Sequence, residues 1–376
     1  MSSEVEVEDE IVKEVDDEQA STTDNITSPF STKDIKVSNA NISLASLVSR
    51  LNHNEIDLNP DFQRNANLWD RKKMSRLVES ILLKLPLPVF YFDVSDPGKW
   101  IVVDGLQRLS TLKRFMLDKN LRLYNLEFLS ELNNKNYDDL DRSLKRVIDE
   151  TQIVTYQIEA QTPKEVRYSI FNRINTGGLS LNSQEIRQAL NQKGQAVNFL
   201  AQLCETETFK QVAGISPKRM ADRELVLRYI AFRFYRKELI KLTDMSGFLD
   251  TAMEKLDEIQ SSDDLEAIAN EFKDTLIFSE QILGTNHKFS RSMVLQDQKK
   301  SLNRSLFDVI TACFGELSDK ESLIARKDEF MHKFSALLKD DKSEFSRAIT
   351  EGTSSKVAIE SRFQIMRELI KEVTNG

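Results

Sequence analysis

Two cysteines in 376 residues, Cys204 and Cys313, are too few for a disulfide framework or a thiolate metal cluster. Histidine is nearly as scarce. His53, His287 and His332 stand far apart, without the spacings that hold zinc, and no histidine–metal nuclease can be assembled from them. No apolar run is long enough to span a bilayer, so no membrane partner is expected. The N-terminus is acidic, whereas a secretory signal is basic and then apolar. There is no repeat of fixed period and no glycine–serine linker. These absences point to a cytoplasmic globular protein with no metal site of its own.

The net charge of −8 is concentrated at one end. Residues 1–30 hold ten acidic residues against the single Lys13, which leaves the rest of the chain near +1. Residues 1–34 also have few large apolar side chains and read as a disordered acidic tail. Such a tail is either a solvating extension or a cover that competes with nucleic acid for a basic groove.

Elements can be read from about residue 35. Ile42 to Val48 has helical spacing. Asn59 to Asn65, with Gln63 and Arg64, is a polar loop. From Asp70 to Leu85 the apolar positions Met74, Leu77, Val78, Ile81, Leu82 and Leu85 mark an amphipathic helix. Its other face carries Arg71, Lys72, Lys73 and Arg76, and Pro86 and Pro88 stop it. Val89–Val94 and Trp100–Val103 read as paired strands around an Asp96–Gly98 turn. A helix follows from Asp104 to about Asp118, and Ile153–Ile158 is a third strand. Beyond that the pattern is helical. A short helix at 165–174, and another from Asn182 to about Gln192 that opens on the capping-box pattern Asn182-Ser-Gln-Glu185, precede a buried helix over 223–242. Others fall at 247–260, 263–283, 302–317, 320–339 and 356–373. The expected fold class is α+β, with a disordered tail over 1–34, a mixed α/β unit over 35–160 and an α-helical unit over 161–376.

The most informative stretch is Trp100-Ile-Val-Val-Asp104-Gly105-Leu-Gln107-Arg108. A strand runs into Asp-Gly and then into a helix. Asp104 and Gln107 have the spacing of a capping box. Gly105 permits a tight turn or a close ligand, and the first-turn N–H groups with Arg108 suit a phosphate. The same residues also describe an ordinary capped junction. Two further groups join arginine to amides or glycine: Phe62-Gln63-Arg64 with Trp69, and Phe171-Asn-Arg173-Ile-Asn175-Thr176-Gly177-Gly178. Each reads singly as a loop tie or a helix stop, and together as one polar pocket.

In this order, Gln63-Arg64, Asp104-Gly-Leu-Gln-Arg108, and Phe171 to Gly178 followed by Glu185-Ile-Arg187, the chain resembles the N-terminal domain family of GmrSD-type restriction endonucleases. That family is identified by a DGQQR motif and is related to the ParB and sulfiredoxin superfamily. Arg219 to Arg228 and Leu302 to Asp308 extend the resemblance to stand-alone members without the His-Asn-His nuclease. The resemblance implies a ParB-like α/β domain that binds, and in some members hydrolyses, nucleoside triphosphates in anti-phage restriction. By position, Asp104, Gln107 and Arg108 are the candidate catalytic residues. Nucleotide binding falls to Gln63, Arg64, Asp104, Gly105, Gln107, Arg108, Asn175, Thr176 and Gly177. Leu106 stands where the motif has its first glutamine and removes one hydrogen-bonding group.

The expected cofactors are a nucleoside triphosphate of unspecified base and Mg²⁺. Arg108 and Arg64 would meet phosphate charge, and Asp104 would hold Mg²⁺, orient a water or cap its helix. DNA and a separate nuclease or effector protein are the expected partners. The alternatives are a non-enzymatic DNA-binding module using Arg71, Lys72, Lys73 and Arg76, or a metal-dependent DNA nuclease using Asp61, Asp93 and Asp104.

Overall fold

The computed structural model describes residues 35–58, 69–174, 182–191, 194–239, 244–285, 287–294 and 301–375. The expected acidic tail, Gln63, Arg64, Asp61 and the Asn175–Gly178 segment lie outside them. Two compact units divide between Leu190 and Asn191.

Among the described residues the first unit is built on five strands: β1 (Val37–Ser43), β2 (Ile56–Asp57), β3 (Phe90–Asp93), β4 (Trp100–Asp104) and β5 (Gln152–Ile158). Their order in the sheet is β1-β5-β3-β4-β2. β1 runs antiparallel to β5, with Val37 opposite Ile158 and Ser43 opposite Gln152. β5 and β3 are parallel, β3 and β4 form the expected antiparallel pair, and β4 and β2 are parallel. The turn between β3 and β4 is closed by the Gly98 N–H donating to Asp96 Oδ1 at 3.0 Å. β1 and β2 have no counterpart in the sequence reading. Asn and Ser are poor strand formers, so β1 depends on its ladder with β5.

Among the described residues six α-helices belong to this unit: α1 (Leu44–Asn52), α2 (Arg71–Leu82), α3 (Leu106–Leu112), α4 (Arg142–Glu150), α5 (Lys164–Ile174) and α6 (Ser183–Leu190). The chain widens to a π-helical turn at Lys113–Leu117 directly after α3. α1 begins two residues later than its apolar spacing suggests, because Ser43 caps it by accepting from the Ser46 N–H. Leu44, Leu47, Leu77, Val78, Ile81, Leu109, Leu112 and Phe115 bury against Phe90, Phe92, Trp100 and Val102 in one core. Val103, Ile158, Phe171 and Ile186 form a smaller cluster, with Tyr91 and Ile101 packed against it. That cluster is why α5 and α6, read from the sequence as the start of the helical unit, pack with the sheet. The capping box at Asn182 and Glu185 is present in both directions, at 2.7 and 2.8 Å.

The second unit is helical, with α7 (Gln195–Cys204), α8 (Glu207–Ala213), α9 (Ala221–Phe234), α10 (Arg236–Leu239), α11 (Met245–Glu258) and α12 (Ser262–Leu283). It continues with α13 (Arg304–Gly315), α14 (Lys320–Ala325), α15 (Lys327–Lys339), α16 (Glu344–Ala348) and α17 (Lys356–Asn375). One core joins α9, α11, α12, α13 and α17. The two motif segments of this unit meet inside it. Fully buried Arg228 forks onto buried Asp308 at 3.0 and 2.7 Å, and Arg362 Nη2 reaches the same carboxylate at 3.5 Å. A buried carboxylate between two guanidinium groups keeps its charge compensated. Among the described residues no helix is long and apolar enough to cross a membrane.

Candidate functional site

β4 carries a bulge just before the site. Tyr91 stands opposite Asp104 and Phe92 opposite Val102, so two steps on β4 match one on β3. An extra residue re-aims the side chains that follow it, here Asp104. Gly105 then turns the chain with φ +106°, in the left-handed region that favours glycine. A Cβ at Gly105 would stand 2.5 Å from Phe90 Cδ1, so the turn also needs glycine for space.

The capping box expected between Asp104 and Gln107 does not form. Gly105 occupies the N-cap of α3 without a side-chain cap. Asp104 instead pairs one helical turn ahead, its Oδ2 accepting from Arg108 Nη2 at 2.9 Å. Gln107 Oε1 accepts the backbone N–H of Trp69 at 3.1 Å, and Thr111 Oγ1 donates to the Gln107 carbonyl at 2.8 Å.

Arg108 is held more firmly than a surface phosphate fork. Its Nη1 donates to the Pro88 carbonyl, and its Nη2 donates to the Val89 carbonyl at 3.1 Å. The guanidinium lies 4.3 Å from the centre of the Phe90 ring. Burial pulls its pKa below the ordinary value, and the Asp104 carboxylate pushes back. Its side chain is only 9% exposed, whereas that of Asp104 is 42% exposed. Asp104 Oδ1 makes no hydrogen bond among the described residues. The accessible chemistry of the turn is therefore one open carboxylate oxygen, fixed in place by a buried arginine. Asp104, Gly105, Gln107 and Arg108 are brought together as expected.

Residues 44–192 match the family model described as the GmrSD restriction endonuclease, N-terminal domain. Over this segment the chain is similar to that family. No curated protein and no solved structure matches the chain. The matched GmrSD-type domain contains the whole Asp104 turn and nearly all of the first compact unit.

Within the same domain, Asp93 of β3 is fully buried. It accepts from Arg167 Nη1 at 3.2 Å and from the Ser95 N–H at 2.8 Å, so its carboxylate is committed inside the fold. Among the described residues no group of three or more His, Cys, Asp or Glu side chains could hold a metal ion. His53 Nδ1 lies 2.8 Å from the Ser49 carbonyl at the end of α1.

The basic face of α2 is only partly open. Asp70 caps the helix, and Arg71, Lys72, Lys73 and Arg76 are all exposed. Arg76 pairs with Glu127 at 2.9 Å. Arg71 donates through Nε to the Arg122 carbonyl at 2.7 Å. The nearby basic residues Lys113 and Arg114 are engaged with Asp118 and with Asn120. The sequence reading missed the Pro88 and Val89 carbonyls that hold Arg108. The signal available was Pro88, which leaves the strand entrance without an N–H of its own.

Proposed function

We propose that this chain is a nucleoside-triphosphate-binding and hydrolysing, DNA-associated regulator of a restriction system. The supporting observation is the Asp104–Arg108 turn, built with a single open carboxylate oxygen inside a GmrSD-type domain. A family named for restriction endonucleases supports the restriction role and makes DNA a natural partner, with a separate effector as the second.

The residues fit a Mg²⁺–nucleotide through Asp104. Mg²⁺ is commonly held by one or two carboxylates together with phosphate oxygens and water, and it would neutralise phosphate charge there. The chain's own residues do the positioning. Asp104 presents Oδ1, and Arg108 fixes the carboxylate through Oδ2 while anchored on Pro88, Val89 and Phe90. Gln107 ties the turn to Trp69. In this reading Arg108 is a positioning residue, and phosphate contact falls to the exposed side of the turn.

Calorimetric titration of the full chain with ATP, GTP, CTP and UTP, with and without Mg²⁺, tests the binding step. The expected result is Mg²⁺-dependent binding of at least one nucleotide, weakened at least tenfold by Asp104→Asn. Binding of none, or binding indifferent to Asp104→Asn, contradicts the assignment.

A further inference from the structure

Arg71, Ser75 and Glu79 stand four residues apart on α2 and so form one row along the helix. Each grips the segment 122–129. Arg71 Nε donates to the Arg122 carbonyl at 2.7 Å, and the Tyr124 N–H donates to Ser75 Oγ at 2.9 Å. The N–H groups of Glu127, Phe128 and Leu129 all donate to the buried Glu79 carboxylate, at 3.0, 2.7 and 2.9 Å. Leu121, Leu123 and Leu126 point the other way, into the core. The segment is thus laced to the helix along its length.

This lacing holds two aromatic rings outward. Phe128 is 68% exposed and Tyr124 51%. A single exposed aromatic is unremarkable. Here two sit four residues apart on a pinned backbone, beside cations. The Arg71 guanidinium lies 5.1 Å from the centre of the Tyr124 ring. Arg76 and Arg122 have carboxylate partners in Glu127 and Asp139. Arg71, Lys72 and Lys73 have none among the described residues; Arg71 lies beside the Tyr124 ring, and Lys72 and Lys73 follow it on the exposed start of α2.

We propose that this strip is a platform for single-stranded nucleic acid, with bases stacked on Tyr124 and Phe128 and phosphates met by Arg71, Lys72 and Lys73. Aromatic rings with neighbouring cations bind single strands because unpaired bases offer free faces. Bases of a duplex are already stacked on one another. The inference rests on the proposed DNA association for its class of partner and makes no use of the Asp104 turn.

The test is fluorescence anisotropy of the full chain with a labelled single strand of about 12 nucleotides, without any nucleoside triphosphate, over a range of salt. The matching duplex is measured alongside. The strip predicts preference for the single strand and a loss of about 5- to 150-fold for each of Phe128→Ala and Tyr124→Ala. Phe128→Trp retains binding. Lys72→Gln with Lys73→Gln lowers the slope of log K against log salt by about 1.4. Phe128 and Tyr124 are exposed, so thermal unfolding of their variants should match the wild type and separate lost binding from lost fold. The proposal is overturned if the wild type does not bind the strand, or if both aromatic substitutions are neutral. Binding insensitive to salt also overturns it. Since no nucleotide is present, none of these outcomes bears on the Asp104 site.

Discussion

Replacing Gly105 with alanine tests the construction of the turn. Gly105 has φ +106°, and its added Cβ would meet Phe90 Cδ1 at 2.5 Å, Cε1 at 3.0 Å and Cγ at 3.3 Å. A left-handed backbone costs an L-residue about 1–2 kcal/mol. Forcing a methyl group against a fully buried ring adds about 1–3 kcal/mol. The sum, about 2–5 kcal/mol, is a large fraction of the about 5–15 kcal/mol that ordinarily stabilises a domain. Phe90 cannot move freely, because the Arg108 guanidinium lies over its ring. Urea unfolding of the full chain measures the loss. A cycle with Phe90→Leu separates the two causes. The double variant should lose less than the two single losses added together, since the smaller side chain removes the clash and leaves the backbone cost. A Gly105→Ala protein within about 0.5 kcal/mol of the wild type would refute the argument, since that is the spread of unremarkable surface substitutions.

Two further predictions concern titrating groups. Burial raises the Glu79 pKa, but the N–H donors of Leu129, Glu127 and Phe128 and the nearby Arg76 charge outweigh it, leaving the carboxyl below its usual 4.5. Its contribution is therefore present above pH 4.5 and disappears as pH falls through the lower folded value. Glu79→Gln loses one acceptor oxygen and should cost about 2 kcal/mol at neutral pH; denaturant titrations should show this gap narrowing in acid, and a pH-independent gap would contradict it. Burial also holds His287 down to about 4, neutral, with Nδ1 accepting the Phe289 N–H at 3.0 Å. Unfolding returns it to about 6.5, so its contribution is full above that pH and falls by about 3 kcal/mol as pH drops to 4. His287→Gln should lack this part of the pH slope, and equal slopes for the two proteins would rule it out.

The sequence made α2, the β3–β4 pair and the Asn182–Glu185 capping box legible because each rests on local chemistry. α2 shows a clear apolar face, β3–β4 has a marked turn, and the box closes within three residues. β1 was not legible, since its residues are weak strand formers and only the distant partner β5 makes them a strand. The Asp104 turn was half legible. Its four residues do converge, but the Asp104–Gln107 spacing that makes a box at Asn182 makes none here, and Asp104 pairs instead with Arg108, one residue further on. Asp104 lies between a bulge that the sequence does not show and the left-handed Gly105, and Arg108 is drawn inward by Pro88, Val89 and Phe90. Buried Glu79 was hidden for a similar reason. Nothing local shows that a carboxylate among the apolar positions of α2 has three N–H partners some fifty residues away.

The most direct test of the central reading is phosphate release from ATP, GTP, CTP and UTP with Mg²⁺, comparing the wild type with Asp104→Asn and Arg108→Lys. The account predicts turnover of at least one nucleotide by the wild type. It predicts loss in Asp104→Asn, and in Arg108→Lys a lower kcat with little change in KM, because lysine cannot hold the carboxylate and both carbonyls in one plane. No turnover with any nucleotide, or turnover unchanged in Asp104→Asn, would contradict it.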